Sequence, residues 1–131
     1  MKFTLATITL GLAALPELAF AAGGFASTCD WYWMERNFLV GNCRKKDGTY
    51  MRTRQDMNLC VKNDGGSLTP RDNGHAFDSC SVVGKSGTSV IQAWCSSSEI
   101  MSPTDLDLNT FVENRDGYMW CFNHRSAPYS G

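Results

Sequence analysis

Short runs of aromatic, β-branched and other apolar residues alternate with polar turns along most of the chain, and this pattern predicts β-strands. The predicted strands cover residues 31–34, 38–40, 50–53, 90–94 and 118–122. Turns are predicted at residues 46–48, 84–87 and 116–117, where glycine follows charged or polar residues. No window has the period of a long helix, so the fold class is predicted to be all-β.

Two further segments predict single helical turns. Residues 56–61 and 107–112 each begin with an aspartate that is followed by apolar residues, the order typical of a capped turn.

An internal repeat with an offset of 51 or 52 residues relates the two halves of the chain. It suggests two pseudo-symmetric units in tandem, about 24–69 and about 77–122, that pack against each other. Residues 70–74 link the units and contain a proline, so a monomer or a domain-swapped dimer is expected. The repeat matches Phe25 with Phe77, Cys29 with Cys80, Cys43 with Cys95, Asp56 with Asp107, Asn58 with Asn109, Val61 with Val112, Asn63 with Asn114, Gly66 with Gly117 and Leu68 with Met119.

The amino terminus has the features of a secretory signal peptide. Lys2 precedes an uncharged apolar run at residues 3–15, and the small-residue stretch 19–21 resembles a cleavage site. We therefore expect a signal peptide at residues 1–21, a domain at residues 22–131 and a secreted, extracellular protein. The apolar run is too short to span a bilayer, and no later segment approaches twenty apolar residues, so no membrane insertion is expected.

Composition and charge narrow the function further. The chain is 43% hydrophobic and 19% charged, which is enough apolar material for a core. Its formal net charge is −1, whereas a nucleic-acid-binding protein shows a basic stripe, so no nucleic-acid partner is expected.

Six cysteines in an exported chain of this length indicate a disulfide framework. The repeat implies one pair inside each unit, Cys29–Cys43 and Cys80–Cys95. Cys60 and Cys121 have no matching cysteine in the opposite unit, so they either pair with each other or are both free, and pairing is favoured in an exported protein. No two cysteines are close enough for a C-x-x-C zinc or redox motif.

The duplicated motifs resemble the cyanovirin-N homology family of mannose-binding lectins. They are F-A-S-T-C at 25–29 and F-D-S-C at 77–80, and D-M-N-L-C-V-K-N-D-G-G-S-L at 56–68 and D-L-N-T-F-V-E-N-R-D-G-Y-M at 107–119. The resemblance covers residues 24–122 and implies two β units, each with a three-stranded sheet and a hairpin. It also implies two shallow sugar sites at opposite ends, high-mannose-type glycans or glycoproteins as partners, and no metal, cofactor or catalytic residue.

Carried over from this family, each sugar site takes residues from both repeats. Sugar hydroxyls are bound by short polar side chains and backbone groups held on rigid turns. The first site would use Gly24, Ser27, Thr28, Arg44, Lys46, Asn114, Arg115 and Asp116. The second would use Lys62, Asn63, Asp64, Gly65, Asn73, Asp78, Ser79, Ser96, Ser97 and Ser98. The chain departs from the family at two places, because it carries the basic run 44–46 after Cys43 and three serines after Cys95.

Other functions have weaker support in the sequence. An interaction or effector protein that kept the scaffold and lost sugar binding is the main alternative. Residues 105–109 resemble the start of a calcium loop, but the glycine and glutamate that such a loop needs are replaced by Thr110 and Asp116. His75 and His124, with Glu35, Glu99 or Glu113 nearby, would be the acid and base of a small secreted ribonuclease. The chain is predicted not to be an enzyme.

Overall fold

The computed structural model describes residues 23–85 and 88–131. The predicted signal peptide at residues 1–21, and residues 86–87 of a predicted turn, lie outside the described residues. The described residues are all-β apart from four short 3-10 turns. The strands are β1 (Cys29–Glu35), β2 (Phe38–Arg44), β3 (Tyr50–Asp56), β4 (Val61–Asp64), β5 (Ser67–Pro70), β6 (Cys80–Lys85), β7 (Val90–Ser97), β8 (Ile100–Asp107), β9 (Glu113–Arg115), β10 (Tyr118–Cys121), β11 (His124–Arg125) and β12 (Ala127–Pro128).

Each repeat builds one antiparallel sheet and one hairpin, as predicted. In repeat one, β1, β2 and β3 pair in order and are followed by the hairpin β4–β5. In repeat two, β6, β7 and β8 pair in order and are followed by β9–β10. The carboxyl-terminal segment breaks the symmetry, because β11 extends the second hairpin and β12 adds a fourth strand beside β3.

The two repeats exchange their hairpins. The β4–β5 hairpin of repeat one packs on β8 of repeat two, and β10 of repeat two packs on β3 and β2 of repeat one. Gly41 of β2 permits this approach, because a Cβ there would lie 3.0 Å from Met119 Sδ. The sheet of one repeat and the hairpin of the other therefore form each half of the molecule.

Both aspartates predicted to cap a helical turn do so. Asp56 Oδ1 accepts from the Asn58 N–H at 3.0 Å, and Asp107 Oδ1 accepts from the Asn109 N–H at 2.9 Å. The turns they cap are of the 3-10 type and cover Met57–Leu59 and Leu108–Thr110.

One pair in the predicted repeat alignment was wrong. The turn Phe25–Ser27 precedes Cys29 just as the turn Ala76–Asp78 precedes Cys80, so Phe25 corresponds to Ala76 and not to Phe77. Phe25 and Ala76 are both fully buried, whereas Phe77 is half-buried. Phe25 is the first residue of its 3-10 turn and Phe77 is the second residue of its own, so the two phenylalanines are not equivalent.

Several element boundaries also differ from the sequence prediction. β6 continues through Lys85 where a turn was predicted from residue 84, and β10 ends at Cys121, before Phe122. The link predicted at residues 70–74 begins one residue later, because Pro70 pairs with Val61 in the hairpin. The exposed strand β8 was missed at residues 100–106, because its serine, proline, threonine and aspartate hide the apolar pattern of a strand.

The core is continuous between the halves and is held by three disulfides. Cys29–Cys43 and Cys80–Cys95 each join the first two strands of a sheet, as the repeat predicted. Cys60 and Cys121 pair with each other and link the two repeats, and the described residues contain no free cysteine. Across residues 23–85 and 88–131, no helix is long and apolar enough to cross a membrane.

Candidate functional site

Asn114 of β9 connects the second hairpin to the sheet of repeat one. Its Nδ2 donates to Thr28 Oγ1 at 3.0 Å and to the Arg44 carbonyl at 2.9 Å. Its Oδ1 accepts from the Gly117 N–H at 2.8 Å, which closes the turn between β9 and β10. Gly117 has φ 94°, a backbone conformation that favours glycine.

Asn63 of β4 repeats this arrangement in the other half of the molecule. Its Nδ2 donates to Ser79 Oγ at 2.8 Å and to the Ser96 carbonyl at 2.9 Å, and its Oδ1 accepts from the Gly66 N–H at 2.8 Å. The family resemblance placed both asparagines in a sugar site, although asparagine before glycine also commonly holds a turn. Both donors of each amide are already used within the protein. Asn63 and Asn114 therefore position their corners, and other groups remain to face a ligand.

The first corner comprises the residues around Asn114. They line a depression of about 470 Å³. Its lining residues are Thr28, Arg44, Lys45, Lys46, Asn114, Arg115 and Asp116. The sequence prediction missed Lys45. Its position between the predicted site residues Arg44 and Lys46, directly before a predicted turn, could have indicated it. Gly24 and Ser27 were predicted here but do not line the depression; Ser27 Oγ instead donates to the Gly24 carbonyl at 2.9 Å.

Two carboxylates are already engaged at the first corner. Glu113 binds the Arg115 guanidinium, with Nε to Oε2 at 2.9 Å and Nη2 to Oε1 at 3.1 Å, and this hydrogen bond raises the pKa of Arg115. Asp116 Oδ1 accepts from the Lys46 N–H at 2.8 Å. In the part of the chain that the structure describes, the side chains of Arg44, Lys45 and Lys46 make no ion pair. The first corner is therefore cationic.

The second corner comprises the residues around Asn63. The serine run 96–98 ends strand β7 and enters a turn in which Ser98 and Glu99 both have positive φ. Ser96 Oγ donates to the Ser79 carbonyl at 3.3 Å. The predicted residues of this corner lie in β4 and the turn after it, directly before β6, or at and just after the end of β7: Lys62, Asn63, Asp64, Gly65, Ser79, Ser96, Ser97 and Ser98.

Two other predicted residues lie beside the second corner. Asp78 ends the 3-10 turn before Ser79, and its side chain is exposed. Asn73 belongs to the link, where its N–H donates to the Leu59 carbonyl at 2.8 Å. Among the described residues, no hydrogen bond joins the Asn73 side chain to the serines of the corner.

A groove between the repeats was not predicted from the sequence. It has a volume of about 480 Å³ and runs between the β1–β2 turn of repeat one and strand β6 of repeat two. No sequence signal marks it, because its two walls come from segments 40 or more residues apart. Its lining residues are Met34, Arg36, Asn37, Phe77, Cys80, Ser81, Val82 and Val83.

Four of the residues weighed for metal binding or for catalysis have side-chain partners. Asp107 Oδ1 accepts from Ser89 Oγ at 2.6 Å as well as capping its turn, and the described residues contain no cluster of three or more potential metal ligands. His124 Nε2 lies 2.7 Å from Asp72 Oδ1. Glu35 Oε1 accepts from the Tyr129 hydroxyl at 2.6 Å and Glu113 binds Arg115, so neither is paired with a histidine.

A family model described as the CVNH domain matches residues 25–126. The match spans both repeats, including the four 3-10 turns and both corners. No curated protein sequence matches this chain significantly.

Several solved structures have the same fold, and this chain covers nearly their whole length. A variant of MoCVNH3 in complex with (N-GlcNAc)4 has a TM-score of 0.72 and 17% identity over 79% of this chain and 99% of its own. The CVNH protein of Gibberella zeae has a TM-score of 0.64 and 20% identity over 76% and 97%. Microvirin, in complex with mannobiose, has a TM-score of 0.56 and 17% identity over 76% and 98%.

Proposed function

This chain belongs to the CVNH family, and we propose on that premise that it is a secreted lectin. It binds high-mannose-type oligosaccharides on glycans or glycoproteins through the two corners and has no catalytic role. The complexes of its structural neighbours with (N-GlcNAc)4 and mannobiose support a carbohydrate as ligand.

The observation that carries this proposal is the duplicated set of hydrogen bonds made by the Asn63 and Asn114 side chains. At each corner one amide ties a hairpin of one repeat to two segments of the other, one at the end of a strand and one directly before a strand. Hydroxyls, carboxylates and backbone groups are thereby held on rigid, exposed corners, the arrangement needed to bind sugar hydroxyls. Each shallow corner binds weakly, and two corners on one body gain avidity of ~10²–10⁴ on a branched glycan.

Titration of the purified protein with uncharged mannobiose, followed by NMR of the backbone amides, tests the proposal. We expect shifts at residues 62–65, 79 and 96–98 and at residues 28, 44–46 and 114–116. The Asp64→Ala variant removes a carboxylate from the second corner and Asp116→Ala one from the first, so each should reduce binding at its own corner only. Asp30→Ala removes an exposed carboxylate elsewhere and should change neither. The absence of shifts with mannobiose and with longer mannose oligosaccharides would contradict the lectin proposal.

A second candidate is an interaction protein that kept the scaffold and lost sugar binding. The groove between the repeats favours it, because Met34 and Phe77 are half-buried there and Val83 is 57% exposed. A glycan array separates the two candidates: retention of the protein on mannose glycans supports the lectin, and retention on no glycan supports the interaction protein.

A further inference from the structure

The two corners differ in charge at equivalent positions. Arg44 and Ser96 each directly follow the second cysteine of a repeat, and each donates its backbone N–H to the carbonyl of the residue before the first cysteine, at 2.9 and 3.0 Å. The next residues are Lys45 and Ser97. A Cβ on Gly117 would lie 2.8 Å from Lys45 Cγ, and one on the equivalent Gly66 would lie 3.5 Å from Ser97 Cβ.

The hairpins of the two corners also differ in charge, because their ion pairs have the cation and the carboxylate in opposite order along the strand. In β9, Glu113 is followed two residues later by Arg115, and in β4, Lys62 is followed two residues later by Asp64. Both pairs form, Arg115 with Glu113 at 2.9 Å and Lys62 with Asp64 at 3.9 Å. The exposed turn of the first corner therefore carries a cation where that of the second carries a carboxylate.

The first corner has cations that the protein itself does not neutralise. Four cationic side chains and one carboxylate line the depression, and Glu113 neutralises only Arg115. The nearby Asp47 is held by Thr49, whose hydroxyl and N–H donate to Oδ1 at 2.6 and 2.9 Å and lower the pKa of Asp47. Arg44, Lys45 and Lys46 thus surround the polar groups of Thr28 and Asn114 with positive charge.

We propose that the first corner binds acidic sugars, meaning a mannose-type ring that bears a phosphate, a sulfate or a carboxylate. The inference rests on the proposed function and gives the two corners different preferences: the first binds an acidic sugar more tightly than an uncharged one, and the second, with its serines and no excess of cations, does not. The hydroxyls of the ring meet the groups around Asn114, and the anionic group meets the cations at the rim.

Five probes, followed at the amides of both corners, test the inference: methyl mannoside, its phosphate monoester, its sulfate ester, the corresponding uronate, and inorganic phosphate alone. At least one acidic sugar should bind the first corner about fivefold more tightly than the uncharged sugar, the size expected for two exposed charge pairs. This preference should shrink when the salt concentration is raised from about 0.01 M to about 0.15 M. The three acidic sugars distinguish which anionic group is preferred.

Exchange of the equivalent residues provides the matched variants. R44S/K45S gives the first corner the residues of the second and should abolish the preference, whereas S96R/S97K should create one at the second corner. R36S/R71S removes the same charge from exposed positions outside both corners and should leave the preference unchanged.

Equal affinity for acidic and uncharged sugars at the first corner would overturn the inference and leave the lectin proposal intact. Binding of inorganic phosphate as tightly as of the acidic sugars would also overturn it, because the ring would then contribute nothing. Binding of no sugar at either corner would overturn both proposals.

Discussion

The two repeats share one architecture but differ in how each sheet meets the opposite hairpin. In repeat two, Thr104 Oγ1 accepts directly from the Leu68 N–H of the first hairpin at 3.1 Å. In repeat one, Ser126 lies between the equivalent groups: its Oγ accepts from the Met119 N–H at 2.9 Å and donates to Thr53 Oγ1 at 2.8 Å. The carboxyl-terminal segment has inserted into one of two equivalent contacts, so a duplicated fold accommodates an addition on one side without losing its pairing.

The same contrast extends to the edges of the two sheets. β12 covers β3, with Ala127 opposite Arg54 and Pro128 opposite Thr53. The corresponding strand β8 has no added strand among the described residues, and Ile100 and Met101 there are 65% and 51% exposed. Repeat one is therefore the more extensively covered half.

The largest expected effect is the loss of unfolding free energy when the disulfide between the repeats is removed, compared with removal of a disulfide within one repeat. Cys60–Cys121 spans 61 residues and Cys80–Cys95 spans 15. The C60A/C121A variant should lose about 4 kcal/mol of unfolding free energy and C80A/C95A about 3 kcal/mol, because the longer closed loop restricts the unfolded chain more. Denaturant unfolding measures both, and a larger loss for C80A/C95A would contradict the prediction.

The next effect tests whether the two corners are structurally equivalent. Asn63→Ala and Asn114→Ala each remove three hydrogen bonds, so each should cost about 2–3 kcal/mol of unfolding free energy. Asn42→Ala is the control, because it removes one exposed bond to Asp30 and should cost about 0.5 kcal/mol. A cost for either corner variant no larger than that of the control would show that the amide does not hold its corner.

A smaller effect should distinguish the bridged contact from the direct one. Ser126→Ala leaves the buried Met119 N–H without its partner and should cost about 2 kcal/mol. Thr104→Val removes the half-exposed acceptor of the Leu68 N–H and should cost about 1 kcal/mol. The comparison is made by chemical denaturation of the two single variants, and the reverse order would contradict it.

The smallest effect concerns the end of the segment that covers repeat one. The hydrogen bond from the Tyr129 hydroxyl to Glu35 raises the pKa of Tyr129 above its ordinary value of about 10. The bond favours the protonated phenol, so its contribution to stability is full below about pH 10 and is lost as the pH rises through the raised pKa. Thermal unfolding should show this alkaline loss in the parent protein and a smaller one in Tyr129→Phe; an equal loss in both would contradict it.

The repeat could be recognised in the sequence from residues whose structural role is local. Asp56 and Asp107 cap their own turns, Gly66 and Gly117 adopt positive φ, and the cysteines of each repeat lie in neighbouring strands. Such residues must match between copies whatever lies around them. The predicted equivalence of Phe25 and Phe77 failed because their roles depend on packing, and Ala76 fills the position that Phe25 fills in the other copy.

The candidate sites were predictable in composition but not in arrangement. The basic run after Cys43 and the serine run after Cys95 were evident from the sequence, and both lie at corners. Two features depend on which strand each hairpin contacts. Both asparagine amides are used in hydrogen bonds within the protein, and Gly24 and Ser27 do not line the depression.

The sequence by itself determined the all-β class, the two copies, the disulfide within each copy and the contrast in charge between the corners. These follow from periodicity, spacing and residue type, which act over a few residues along the chain. Only the tertiary structure decided that the hairpins exchange sheets, that Cys60 binds Cys121 and that Ser126 bridges Met119 to Thr53. Each of these joins segments more than 50 residues apart or inserts one segment between two others, and such contacts are set by three-dimensional packing that no local pattern encodes.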